Sequence, residues 1–274
     1  MVFRVDGARA LVTGASRGIG KAVAVALADA GADVAVSART GEALNDTVKA
    51  VRAAGGSAVP CVADLSHEGA GAGLVAEAVE GLGGLDVLVH NAGVIAVDEQ
   101  GTSRVVPLEH SGSGDWRPVV DVNVHGTVEV LRAAHPFLVK SQRASAVVMS
   151  SVAGVMGTPG MESYAATKAA QISVVRSLAV AWASDGVRVN ALCPGWVATD
   201  MTGPMQAAGV SDWLLSHVPQ GRWLSCEEVA PLAVFLASGA SSAVTGHALV
   251  ADGGVSIAEG GLSGRPKPAS PFAA

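Results

Sequence analysis

The chain has 274 residues, half of them apolar and 15% charged, which suits one large domain or two small ones around a full hydrophobic core and excludes intrinsic disorder. A net charge of −6 argues against nucleic acid as a partner. Cys61, Cys193 and Cys226 are odd in number and far apart, and the histidines lack metal-ligand spacing, so no disulfide framework and no metal site are expected. The start of the chain carries Arg4 and Asp6 without an apolar signal core, and the uncharged stretch 229–251 is broken by Pro231, Gly239 and Gly246. The expectation is a cytoplasmic protein that does not span a membrane.

Residues 8–13 read as an apolar strand running into Gly14-Ala-Ser16-Arg17-Gly18-Ile19-Gly20, after which Ala22, Val23, Ala26, Leu27 and Ala30 recur at helical spacing. Strand, glycine turn and helix in this order form a nucleotide-binding opening, in which a diphosphate faces the unpaired N–H groups of the helix start. Gly31 closes that helix, residues 33–38 make a second strand, and Leu44, Val48 and Val51 mark the next helix. Two further strands, 57–63 and 85–90, flank a helix carrying Leu74, Ala78 and Leu82. Asp64 follows the first and Asn91-Ala92-Gly93 the second, both at strand carboxyl ends, where an open parallel sheet binds its ligand. Their plainer readings are a helix cap and a turn residue.

Residues 94–114 read as a loop, with Ser113 capping a long helix whose Trp116, Val120, Asn123, Val124, Thr127 and Leu131 share a face. Asn123 on that stripe is either a satisfied core amide or a group holding water in a proton path. Strands at 146–149 and 187–193 end at Ser150-Ser151 and at Pro194-Gly195. Residues 196–223 hold Met201, Met205, Trp213, Leu214 and Leu215 without a long period, which suits a mobile apolar lid, with a packed helix equally open for 211–217. A capping box at Ser225 and Glu228 opens another helix, and residues 248–250 form a last strand. Strands alternating with helices throughout give an α/β chain: a single-domain, doubly wound, Rossmann-type sheet of seven parallel strands with helices on both faces, spanning residues 1–256. Residues 257–274, with Pro266, Pro268 and Pro271, read as a flexible or subunit-packing tail.

The stretch from Ser151 to Lys168 holds the chemistry. Its helix runs over residues 165–183, so Tyr164 and Lys168, four apart, share one face. A phenol titrating near ~10 in water needs its ionised form favoured by about 4 kcal/mol to carry protons near pH 7. An ammonium roughly 4 to 5 Å away supplies most of that at an effective dielectric of about 20. Tyr164 is also the single tyrosine of the chain.

These residues, in this order, resemble the short-chain dehydrogenase/reductase family from Arg9 to about Ser256. Thr13 to Gly20 is similar to that family's cofactor turn, Asn91-Ala92-Gly93 to its inner-strand motif, and Asn123, Ser151, Tyr164 and Lys168 to its catalytic set. Pro194, Gly195 and Thr199 are similar to its nicotinamide-side motif, while His90 stands where many members have a second asparagine. The resemblance implies hydride transfer between a nicotinamide cofactor and a carbonyl or carbinol carbon, with Tyr164 exchanging the proton and Ser151 bonding the alkoxide. Lys168 then lowers the phenol's pKa and binds the ribose, and Asn123 holds a water joining Lys168 to solvent. The implied cofactor set is Gly14, Ser16, Arg17, Gly18, Ile19, Gly20, Arg39, Asp64, Leu65, Asn91, Ala92, Gly93, Tyr164, Lys168, Pro194, Gly195, Val197 and Thr199, and a dimer or tetramer is the implied assembly.

Two finer expectations concern specificity. Ala38 stands where NAD-preferring relatives carry an acid and Arg39 follows it, which favours NADP(H), with Arg17 approaching the same phosphate. Asp185 at the end of the Tyr164 helix repels an acidic carrier protein, which favours a free, mostly apolar ketone or alcohol over a 3-oxoacyl thioester on acyl-carrier protein. A cofactor-free lyase or dehalogenase would be expected to lose the glycine turn and the lysine, and a non-catalytic cofactor-sensing protein to lose Tyr164 or Lys168; this chain keeps all of them. Fold alone does not separate these classes.

Overall fold

The computed structural model describes residues 3–98, 102–207 and 209–258. Their strands are β1 (Arg9–Val12), β2 (Asp33–Ala38), β3 (Ala58–Val62), β4 (Val87–His90), β5 (Ser145–Met149), β6 (Arg188–Pro194) and β7 (Ala248–Ala251). All pair in parallel in the order β3-β2-β1-β4-β5-β6-β7, so the chain reverses direction across the sheet between β1 and β4 and opens a crevice at their carboxyl ends.

The helices are α1 (Gly18–Asp29), α2 (Asn45–Ala53), α3 (Ala70–Leu82), α4 (Ser113–Val120), α5 (Thr127–Leu138), α6 (Glu162–Ala181), α7 (Val210–Leu215) and α8 (Cys226–Ala237). The strands alternate between two buried faces. Val12, Val36, Val89, Val147 and Leu192 pack with Val23 and Leu27 of α1 and Val229 and Leu236 of α8. Leu11, Ala35, Leu88, Val148 and Cys193 pack with Leu74 of α3, Leu131 of α5 and Val175 of α6. A parallel sheet buried on both faces needs such continuous apolar strands, and each fully buried leucine side chain contributes about 1.5–3 kcal/mol.

Several local expectations are revised. Gly112, not Ser113, is the cap of α4: Ser113 already lies inside the helix, and the Asp115 carboxylate accepts from the Gly112 N–H at 2.9 Å. The long helix through Asn123 is interrupted by a π turn, Asp121–Gly126, between α4 and α5. Within the expected loop 94–114, Val97 bridges Ser103 and Leu108–His110 forms a 3-10 turn. In the expected lid, Asp200–Gln206 is a 3-10 segment and α7 is the packed helix, with Leu214 against Ile95 and Met205. The tail from residue 259 lies outside the described residues.

Candidate active site

The glycine turn and the loop after β4 interlock. Gly14 has a φ of 63°, and a Cβ there would come within 2.8 Å of the Ala92 backbone, so only glycine fits. The Asn91 side-chain amide donates to the Thr13 and Gly14 carbonyls at 3.1 and 3.0 Å, and Thr13 Oγ1 accepts from the Asn91 and Ala92 N–H groups at 3.0 Å each. Asn91 is thus committed to clamping the turn. Arg17, extended, precedes α1 without a side-chain cap, which leaves the first-turn N–H groups of the helix for an anion. Gly93 keeps the crevice floor low: a Cβ there would sit 3.2 Å from Lys168 Nζ and 3.3 Å from Asn123 Oδ1. A dinucleotide diphosphate fits this cradle.

The remaining candidates surround it unevenly. Arg39 is exposed beyond β2 and its charge reaches Asp64, whose carboxylate also accepts from Ser66 N and Oγ at 3.0 and 2.7 Å. Those bonds with Ser66 hold the Asp64 carboxyl below the usual range. Arg17 is paired with Asp200 at 3.0 Å, next to Thr199, so it meets a phosphate only if that exposed pair opens. Ser16 and Ile19 lie in the turn partly buried, whereas Leu65 and Val197 are buried in the two cores. Pro194 ends β6, and Gly195 packs where a Cβ would meet Asp252 at 2.7 Å.

Tyr164 lies in the first turn of α6 with Lys168 one turn further, its Nζ 5.5 Å from the phenol ring centre. The ammonium is buried and donates to the Met149 carbonyl at 2.8 Å and to Gln171 Oε1 at 3.1 Å. Ser151 follows β5, accepts from the Ala153 N–H at 3.1 Å, and its hydroxyl favours the ionised form of the phenol. Burial pushes the Tyr164 phenol up to about 12, against that hydroxyl, and draws the Lys168 ammonium down to about 8. In the protein alone, desolvation by burial outweighs the lowering by the Ser151 hydroxyl.

Asn123, fully buried, is placed by the π turn, a feature that recurs at functional sites. Its side chain accepts from Val94 N and donates to Val94 O, both at 2.8 Å, and to Thr167 Oγ1 at 3.0 Å. Its main-chain carbonyl accepts from Thr127 Oγ1 at 2.6 Å and from Gln171 Nε2 at 2.9 Å. The Gln171 amide joins the Asn123 main-chain carbonyl to the Lys168 ammonium. Sequence reasoning missed Gln171, Thr167 and the role of Thr127; the available signal was a glutamine three residues from Lys168 on the stripe of Ile172, Val175 and Ala179.

Above this floor the cleft is lined by Ile95, Ser151, Thr158, Met161, Tyr164, Trp196, Met201 and Met205. Trp196 meets Trp223 edge to face with ring centres 5.9 Å apart. Thr158 Oγ1 is buried there without a protein partner.

A family model described as enoyl-(acyl carrier protein) reductase matches residues 14–256. The chain belongs to the short-chain dehydrogenase/reductase family. It is 37% identical over 257 residues to gluconate 5-dehydrogenase of Gluconobacter oxydans strain 621H, covering 93% of this chain and 97% of that protein. It is 36% identical over 255 residues to the 3-oxoacyl-(acyl-carrier-protein) reductase of Thermotoga maritima, covering 93% and 100%. The crystal structure of a gluconate 5-dehydrogenase from Burkholderia cenocepacia J2315 in complex with NADP and tartrate matches with a TM-score of 0.86 at 33% identity, covering 94% and 98%. As a member of this family the chain is an oxidoreductase of the ketoreductase type. Among the described residues no helix is long and apolar enough to cross a membrane.

Proposed function

We propose that this short-chain dehydrogenase/reductase transfers hydride between NADP(H) and a free, mostly apolar ketone or secondary alcohol. The observation that carries the cofactor choice is the end of β2, where Ala38 lacks the acid that would repel a 2′-phosphate and the exposed Arg39 can meet it. The Burkholderia relative, bound to NADP, supports the same reading. The bound nicotinamide supplies the hydride at its ring carbon. Tyr164 gives its proton to the carbonyl oxygen in reduction and takes it back in oxidation. Ser151 donates to that oxygen as negative charge develops on it. Lys168 binds the ribose and biases the phenol by its charge. Asn123 fixes the distance between the loop at Val94 and α6.

The lining of Ile95, Met161, Trp196 and Met205 favours an apolar substrate body, and the unpartnered Thr158 hydroxyl offers one further hydrogen bond. Residues 196–223 act as the lid. Reduction of a 3-oxoacyl thioester is the second reading, favoured by the Thermotoga relative and by the His135 ring at 2.9 Å from Asp185, which tempers that acidic end when protonated. Exposed Val128 on α5 and Val180 on α6 support a dimer or tetramer, and a cytoplasmic setting suits three free cysteines. The test of the cofactor reading is kcat/KM with NADPH and NADH for wild type and Ala38→Asp. Wild type should favour NADPH by about tens to a hundredfold, and the variant should move toward NADH. Equal use by wild type would remove the role given to Arg39.

A further inference from the structure

The buried polar atoms between the glycine turn and Lys168 form one continuous chain, and counting hydrogens gives it a direction. Thr127 Oγ1 lies 2.6 Å from the Asn123 carbonyl, a separation of two oxygens that requires the hydroxyl proton between them. With that proton spent, the contact of 3.0 Å between Thr127 Oγ1 and His90 Nε2 needs the histidine as donor. His90 Nδ1 is then the acceptor, and Thr13 Oγ1 at 3.2 Å donates to it while accepting from the Asn91 and Ala92 N–H groups. Gln171 Nε2 spends its two hydrogens on the Asn123 carbonyl and on Thr127 Oγ1, both at 2.9 Å. This orients the amide so that Oε1 faces Lys168 Nζ at 3.1 Å. The order of donors assigns His90 the tautomer protonated on Nε2.

The charge at the end of this chain has only neutral neighbours to hold it. The titratable groups that face Lys168 are Tyr164 on its own helix, His90 from β4 and Cys193 from β6. Burial keeps all three uncharged near neutral pH, since it raises the phenol and the thiol and lowers the imidazole to about 3. The ammonium therefore rests on two neutral acceptors, the Met149 carbonyl and Gln171 Oε1.

We propose that Gln171 is a positioning residue: its amide, oriented by Thr127 and His90, holds the Lys168 ammonium charged and aimed from beneath. The proposal rests on the role given to Lys168 above, but its first test needs no turnover. The five lysines of the chain can be labelled at the side-chain nitrogen and followed by NMR against pH, with Lys168 assigned by its loss in Lys168→Met. In wild type the Lys168 signal should titrate near about 8. Losing one hydrogen bond to the charged form should lower that midpoint by about one pKa unit in Gln171→Met, a tenfold change in acid dissociation. Thr127→Val, which removes only the orienting hydroxyl, should move it the same way by less, and it decides the matter if Gln171→Met does not fold.

The alkaline limb of the kcat/KM profile, measured with NADPH and the best ketone, should move with the NMR midpoint in both variants. A midpoint unchanged in folded Gln171→Met, or in Thr127→Val where the former is unfolded, overturns the proposal. Shifted midpoints with no turnover in wild type would overturn the functional reading and leave Gln171 in its place.

Discussion

At the amino ends of the strands, Asp86 receives Arg9 Nε and Nη2 at 2.8 and 2.9 Å, the Arg9 backbone N–H at 2.9 Å and the Ser141 hydroxyl at 2.6 Å. Burial would raise its carboxyl, yet these bonds prevail and hold it at about 2. At the carboxyl ends, Lys168 and Tyr164 are taken from water with no charge of opposite sign to meet them, and both are pushed toward their neutral forms. The same sheet thus fixes a charge at one end and opposes charge on the phenol and the ammonium at the other. The first arrangement stabilises the fold, and the second suits acid and base chemistry.

This contrast can be broken one end at a time. The largest expected effect is at the upper end: Tyr164→Phe should cost kcat at least about a hundredfold and leave NADPH binding and thermal unfolding close to wild type, since only the transferable proton is lost. At the lower end, Asp86→Ala should destabilise by about 2–4 kcal/mol in urea unfolding, less than a fully buried pair because Arg9 is partly exposed, with kcat/KM of the folded enzyme unchanged. If Asp86→Ala removed activity while keeping stability, the two ends would not divide the work as described.

A smaller effect separates the polar chain beneath Lys168 from the clamp below. His90 is held at about 3 against an ordinary 6.5, so between those values the unfolded chain binds the additional proton, and stability falls as pH falls through this window. His90→Asn has no such group and should lose less stability than wild type between pH 7 and pH 4 in urea titrations. Equal losses would mean that another group, Asp86 among them, sets the acid limit. The smallest effect belongs to Arg17. Asp200→Asn frees its guanidinium from an exposed pair, and KM for NADPH should fall by about two- to fivefold with KM for NADH unmoved. A shift shared by both cofactors would place Arg17 on the common part of the dinucleotide.

The regions differ also in how far the sequence disclosed them. Apolar strands running into Gly14 to Gly20 and into Asn91 to Gly93 announce their positions because parallel strands and tight turns each demand particular residues. The spacing of Tyr164 and Lys168 is likewise set by one helix turn. The π turn at Asp121–Gly126 left no such mark, since one additional residue in a helical turn changes neither composition nor the apolar stripe. Nor does sequence reveal that Thr13, His90, Thr127 and Gln171 are joined, because these residues come from four separate elements and meet only across the sheet. The phenol's pKa is hidden for a related reason: proximity to lysine is legible in a sequence, but the desolvation that raises a buried phenol depends on packing.

The activity itself is tested most directly by following the absorbance of NADPH and of NADH while purified wild-type enzyme meets a panel of apolar ketones, aldehydes and 3-oxoacyl thioesters, free and carrier-bound. Oxidation of NADPH well above NADH with an apolar ketone, lost in Tyr164→Phe, is the result this structure predicts. Turnover confined to the carrier-bound thioester would replace the proposed substrate, and no oxidation of either cofactor with any carbonyl compound would contradict the account.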